Sequence, residues 1–227
     1  ELKSFDLLSI KSDEISDQQL EKNCEKLLND INKSSRPVFL IGGGVKSADA
    51  TEDLHEIGNL LEIPMYPTWN ALDVVTCDYK YYCGRVGTYG GSGRNFGIQN
   101  SDLLISVGSR VSGRITGGNV KTFAREAKKY MVDIDKANLK KEFQQVPFDV
   151  NINCDAKKFL KTFKNVLIKN KYKTEENKKN WLKKCIGWKI KYDPVKKSFF
   201  KNNNTVQPYA FIRTLSEKMG KNDILVA

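Results

Sequence analysis

At 227 residues, with 40% hydrophobic and 29% charged side chains, the chain is sized for one full core and part of another. No apolar run reaches membrane-spanning length and the opening ELKSFDLLSI lacks the form of a signal peptide, so no membrane partner is expected. The net charge of +11 is mostly lysine, densest in residues 157–201 among asparagines and single apolar residues; that is the pattern of solvated helix faces, and without base-reading arginines it excludes a nucleic-acid partner.

Residues 1–15 show no steady period and read as a connector. Ser16 and Gln19 then have the spacing of a capping box, followed by a helix with Leu20, Cys24, Leu27, Leu28 and Ile31 on one face. Val38–Ile41 and Leu103–Val107 are too short for helices and too uniformly apolar for half-exposed strands, so they read as strands buried on both faces of a parallel sheet. Each breaks off at glycine, at Gly42-Gly43-Gly44 and at Gly108-Ser109-Arg110. Ligands of such sheets bind beyond the carboxyl ends of the strands, where glycine lets backbone approach a ligand and helix N–H groups attract phosphate. A tight strand-to-helix turn with no ligand is the bland alternative.

Between these strands the pattern predicts a helix over Asp49–Glu62 burying Leu54, Ile57 and Leu61, with His55 on its surface. A short strand over Ile63–Tyr66 is closed by Pro67 and followed by Thr68-Trp69-Asn70 on the presumed ligand side. The segment Gly84–Gly91 is too glycine-rich for a helix and is expected to wrap near the pocket, and Asn95–Asn100 to lead helically into the central strand. Arg110 and Arg114 are suited to a diphosphate or a flavin phosphate, with a surface salt bridge as the alternative for Arg114. Further expectations are a short helix over Thr122–Lys128, strands over Tyr130–Asp135 and Val150–Cys154, and a helix over Ala156–Ile168 capped by Asp155. The alternation gives a doubly wound α/β domain on a mainly parallel sheet. The GxGxxG dinucleotide fingerprint fails, because Ser47 stands where the last glycine belongs.

The tail predicts a lysine-rich helix over Thr174–Tyr192 with Trp181, Cys185 and Trp188 on one side, a linker, a helix from Pro208 stopped by Gly220, and a strand over Asp223–Ala227. The division expected is a connector from a missing first domain (1–15), a middle domain (16–172), a linker with a basic helix (173–208) and the start of a further domain (209–227). The fold of Arg36–Ile168 is expected to stand without the tail. Five scattered cysteines with no CxxC pair read as reduced thiols of a cytoplasmic protein. The lone His55 cannot anchor a multi-histidine metal site, and no metal is expected in this chain.

In order, RPVFLIGGG, IPMYPTWNALDVV, GRVGTYGGSGRNFGIQNSDLLISVGSRVSGRITGG, FAREAKKYMVDIDKANLKK and INCDAKKFL resemble the middle domain of acetolactate synthase-like, thiamine diphosphate-dependent enzymes. WLKKCIGWKIKY, VQPYAFIRTLSEKM and NDILVA resemble the linker and the first helix and strand of their third domain. The resemblance implies a Rossmann-like domain with the DHS-like NAD/FAD-binding topology. It also implies a full-length homodimer or homotetramer that makes or breaks carbon–carbon bonds beside the carbonyl of a 2-oxo acid. There, thiamine diphosphate and Mg²⁺ are held by a glutamate of the first domain and a GDG motif of the third. This sequence has no GDG, so no catalytic residue is expected here and the chain alone should be inactive.

The resemblance further implies that FAD or ADP can occupy the middle domain. The contacting positions fall on Gly42, Gly43, Gly44, Thr68, Trp69, Gly108, Ser109, Arg110, Arg114, Ile115, Asp155 and Ala156. Two departures stand out: Ser112-Gly113 where true synthases carry Asp-Asp, and Arg85-Val86-Gly87 where they carry Met-His-Gly. The alternatives are a sirtuin-like NAD-dependent deacetylase, against which the lone helical His55 and unpaired cysteines argue, and a ligand-free structural module.

Overall fold

The computed structural model describes residues 15–88, 91–201 and 205–226. Five strands form the sheet: β1 (Pro37–Ile41), β2 (Met65–Pro67), β3 (Leu103–Val107), β4 (Lys128–Asp133) and β5 (Val150–Asn153). Their order is β2-β1-β3-β4-β5 and every pairing is parallel, with Val38 opposite Leu104 and Ile41 opposite Val107. Chain direction across the sheet therefore reverses between β1 and β3, the switch point at which doubly wound sheets open a crevice.

The two-residue period of the strands sends alternate side chains into two separate cores. Phe39, Ile41, Ile105, Val107, Tyr130 and Val132 pack under three helices, α1 (Asp17–Lys33), α3 (Thr51–Leu61) and α6 (Ala156–Lys169). Val38, Leu40, Tyr66, Leu104 and Met131 face the other way, toward Ile98 of α4 (Gly93–Gln99) and Trp181 and Cys185 of α7 (Glu176–Lys191). Two single-turn helices, α2 (Gly44–Ser47) and α5 (Gly113–Thr116), follow β1 and β3, and α8 (Pro208–Lys218) lies last. At the amino ends of β1 and β3, the Asp102 carboxylate accepts the N–H groups of Ser35 and Arg36 at 2.8 and 2.9 Å, which sets the two strands level.

The α/β reading and both buried strands agree with the observed sheet, and details depart from it for physical reasons. Ser16 accepts from the Gln19 N–H, but the Gln19 amide reaches forward to Asn23 instead of back to the cap. The helix expected from Asp49 begins at Thr51, because α2 intervenes and Asp49 takes a left-handed turn (φ 51°). His55 is half-buried: its Nε2 lies 2.7 Å from the Val74 carbonyl and its ring stacks on Tyr79 at 4.5 Å. Thr122–Lys128 is not a helix, since Ala124 is left-handed (φ 44°) and Lys128 already pairs in β4. Asp223–Val226 forms no strand and pairs with no other strand, and Ile224 and Val226 are exposed. The expected connector, apart from Ile15, and Ala227 lie outside the described residues.

The basic helix of the tail is a covering layer of the sheet. Trp181 is 4% exposed and its indole N–H donates to the Pro37 carbonyl at 3.2 Å, while Cys185 is fully buried. Trp188 packs edge-on to Trp181 and against Phe96, and a Cβ on Gly93 would stand 2.5 Å from the Trp188 carbonyl, so α4 and α7 touch backbone to backbone. Lys178 is completely buried and neutralised by Glu175 at 2.7 Å. Removing α7 would uncover one face of the sheet, which weighs against the expectation that Arg36–Ile168 stands without the tail.

A chain ended after Lys171 is therefore expected to lose its cooperative thermal melt. Trp181→Ala should cost about 3–5 kcal/mol in urea denaturation, the range for emptying a buried aromatic site.

Candidate functional site

Three strands leave the sheet at one end, and their continuations stay hydrogen-bonded. The Gly42 N–H donates to the Val107 carbonyl at 2.9 Å, that of Thr68 to Ile41 at 2.8 Å, and that of Gly108 to Val132 at 2.9 Å. The Gly44 N–H, at the start of α2, donates to the Gly108 carbonyl at 3.0 Å. Glycine is obligatory here through contact: an ideal Cβ on Gly42 falls 2.0 Å from the Gly108 oxygen, and Gly108 itself is left-handed (φ 63°).

Above this contact opens a cleft of about 1070 Å³. It is lined by Gly43, Gly108 and Ser109, by Thr68, Trp69 and Asn70, and by Val86, Gly87 and Thr88, whose strand-end loop is tied to the end of β2 by the Val86 N–H on the Pro67 carbonyl. Val111 to Ile115, with the exposed Arg114, and the exposed Arg110 form the mouth. Val111 is buried with φ 49°, a conformation that strains a β-branched residue, and its N–H is held by the Ser109 hydroxyl at 3.3 Å. Trp69 is 63% exposed, with the Arg85 guanidinium 4.6 Å from its ring centre.

Of the sequence-predicted positions, Gly43, Thr68, Trp69, Gly108, Ser109, Arg110, Arg114 and Ile115 come together in this lining. Gly42 and Gly44 lie beneath it, closed against Gly108. Asp155 and Ala156 stand apart at the end of β5, where the Asp155 carboxylate caps α6 by accepting the Lys157 and Lys158 N–H groups at 2.9 and 3.1 Å. The N–H groups expected to greet a phosphate at the first glycine turn are in part spent, since Gly44 bonds Gly108 and Val45 bonds Gly42 at 3.2 Å. Ser112 and Gly113 were noted in the sequence only as departures from a family pattern, yet they belong to the lining. Asn70 also belongs; its signal was its place directly after Thr68-Trp69.

Among the described residues the lining holds two arginines and no carboxylate, histidine, lysine, cysteine or tyrosine. It can bind an anion but offers no strong acid, base or nucleophile of its own. Asp133, just outside at the end of β4, has its carboxyl raised by burial, against the pull of the Asp135 N–H and of Arg110. Among the described residues no group of three or more His, Cys, Asp or Glu side chains could hold a metal ion. No helix among them is long and apolar enough to cross a membrane.

A parallel, doubly wound domain with an anion-receptive cleft at its switch point is thus the class of protein defined by fold and site. The family model described as thiamine pyrophosphate enzyme, central domain, matches residues 24–163. The chain is 32% identical over 193 residues to a Methanocaldococcus jannaschii protein named "Probable acetolactate synthase large subunit", covering 85% of this chain and 31% of that protein. It is 32% identical over 206 residues to the acetolactate synthase large subunit of Corynebacterium glutamicum, covering 91% and 32%. With the isozyme 2 large subunit of Escherichia coli it shares 39% identity over 111 residues, 49% of this chain. The chain belongs to the acetolactate synthase-like, thiamine pyrophosphate-dependent enzyme family, as a central domain, and spans about a third of the length of the first of these relatives.

Gly42→Ala should lower stability by about 3 kcal/mol, the upper end for overpacking, because the added methyl meets backbone and not a movable side chain. Gly118→Ala, with nothing within 4 Å, should change it by less than about 0.5 kcal/mol; chemical denaturation of both variants checks the pair.

Proposed function

We propose that this chain is the nucleotide-holding middle domain of an enzyme that makes or breaks carbon–carbon bonds next to the carbonyl of a 2-oxo acid or a related compound. Thiamine diphosphate with Mg²⁺ would supply the carbanion and electron sink for that chemistry, held by other domains of the same chain. This domain would bind the ADP portion of FAD, or ADP itself. The observation that carries the reading is a roomy cleft at the β1/β3 switch point whose charged lining groups, among the described residues, are Arg110 and Arg114.

The residues fit such a group. Arg110 and Arg114 present planar donors to phosphoryl oxygens, Gly43 and Gly108 leave room for a diphosphate against bare backbone, and Trp69 offers an aromatic face for a ring. Lacking a strong acid, base or nucleophile in its lining, the domain would bind and orient without turning anything over by itself. A full-length homodimer or homotetramer in the cytoplasm agrees with the family and with five cysteines outside any disulfide, four of them buried.

A second reading, a ligand-free structural domain, is favoured by one specific observation: Gly42 and Gly44 are closed against Gly108, and the first N–H groups of α2 are spent on the carbonyls of Gly108 and Gly42. Calorimetric titration separates the two. ADP or FAD should bind the chain, and Arg110→Ala and Arg114→Ala should each weaken binding about tenfold. Absence of binding by both ligands at millimolar concentration would establish the ligand-free reading. Given thiamine diphosphate, Mg²⁺ and pyruvate, the isolated chain should release no CO₂ above background; turnover would mean that a catalytic group lies within it.

A further inference from the structure

Arg94, on α4, is 7% exposed and has no carboxylate partner among the described residues. Its guanidinium donates to two backbone carbonyls of one loop, Nη1 to Gly91 at 2.6 Å and Nη2 to Gly87 at 2.7 Å. A planar fork on two carbonyls fixes the orientation of the peptides that carry them, which a single point donor would not. The loop has a second tether, the Val86 N–H on the Pro67 carbonyl at 2.9 Å at the end of β2. Gly87 lies between the two with φ 138°, a conformation open to glycine.

This arrangement determines which way one peptide faces. The peptide joining Gly87 to Thr88 is trans, and in a trans peptide the N–H points opposite to the C=O. Arg94 stands behind the wall and takes no part in the cleft lining, whereas Gly87 and Thr88 do. With the Gly87 carbonyl drawn onto Arg94, the Thr88 N–H is turned away from Arg94, on a residue that lines the cleft. It donates to no acceptor among the described residues.

We propose that Arg94 is a positioning residue that holds the Gly87–Thr88 peptide so that the Thr88 N–H serves as a backbone donor to a phosphoryl oxygen in the cleft that Arg110 and Arg114 also line. The inference rests on the cleft taking a phosphorylated ligand. It adds to that reading a neutral, preorganised donor beside the Arg114 backbone, whose carbonyl lies 4.0 Å from where a Cβ on Gly87 would stand, and it is supplied by a residue that takes no part in the cleft lining. A fixed N–H aimed at an anion needs no reorganisation on binding, which makes it effective in a partly dry site.

The test uses the chain labelled with ¹⁵N and the variants Arg94→Lys and Arg94→Met, titrated with ADP and with inorganic pyrophosphate. In the unmodified chain the Thr88 amide resonance should shift with either ligand. Affinity should fall about tenfold or more in Arg94→Met and by less in Arg94→Lys, while amide exchange in β1 and β3 stays unchanged in both. Variants that bind as tightly as the unmodified chain, or a Thr88 amide unmoved by a bound ligand, would overturn the proposal. If the unmodified chain binds neither ligand, the nucleotide reading fails and with it the donor role of Thr88. The holding role of Arg94 is then decided separately by hydrogen exchange at Val86: acceleration of about tenfold in Arg94→Met upholds it, and unchanged exchange removes it.

Discussion

The contact between the Gly42–Gly44 turn and Gly108 governs the rest of this structure. Two neighbouring parallel strands end there, and their chains must separate to opposite sides of the sheet while remaining in backbone contact. The Gly42 and Gly44 N–H groups are satisfied by Val107 and Gly108, so the junction carries the β1/β3 ladder beyond the last strand residues. No side chain fits between them: Cβ atoms on Gly42, Gly44 and Gly108 would all fall within 3.0 Å of backbone atoms across the junction. The cleft exists because the chains part immediately above this point, as they do wherever strand order reverses.

The glycines that first suggest a ligand are thus partly explained by packing, and the burden of recognition moves to the walls. Arg110, Arg114, Trp69 and Thr88 all belong to the lining. Arg85 and Arg94 lie behind, one stacked on Trp69 and the other holding loop carbonyls. Positive charge is concentrated around one cavity without a carboxylate in its lining, which is a geometry for receiving an anion.

The excess of lysine has another explanation. Lys157 and Lys164 on α6 pair with Asp49, Asp53 and Glu56 near α3; Lys158 and Lys169 pair with Asp17, Glu21 and Glu25 of α1. Each such pair near the surface contributes little by itself, about 0–1 kcal/mol, but together they align three helices on one face of the sheet. These basic residues thus serve helix packing.

Sequence alone determined the elements whose signal is local. Val38–Ile41 and Leu103–Val107 could only be doubly buried strands, because a run of apolar residues that short cannot hide itself as a helix. Leu20, Cys24, Leu27, Leu28 and Ile31, all buried, followed from a 3.6-residue period that needs no knowledge of the partner. The strand-end positions of most cleft residues were legible because parallel strands deliver their carboxyl ends to one side. Only the tertiary structure decided that α7 roofs the second core, since Trp181 finds Pro37 across 144 residues and no local period announces such a contact. Likewise, only the assembled fold set Asp155 apart from the cleft, spent the glycine N–H groups on one another, and turned Arg94 inward onto carbonyls. Those outcomes depend on which backbone lies opposite, and that is fixed by strand order and not by the residues of any one segment.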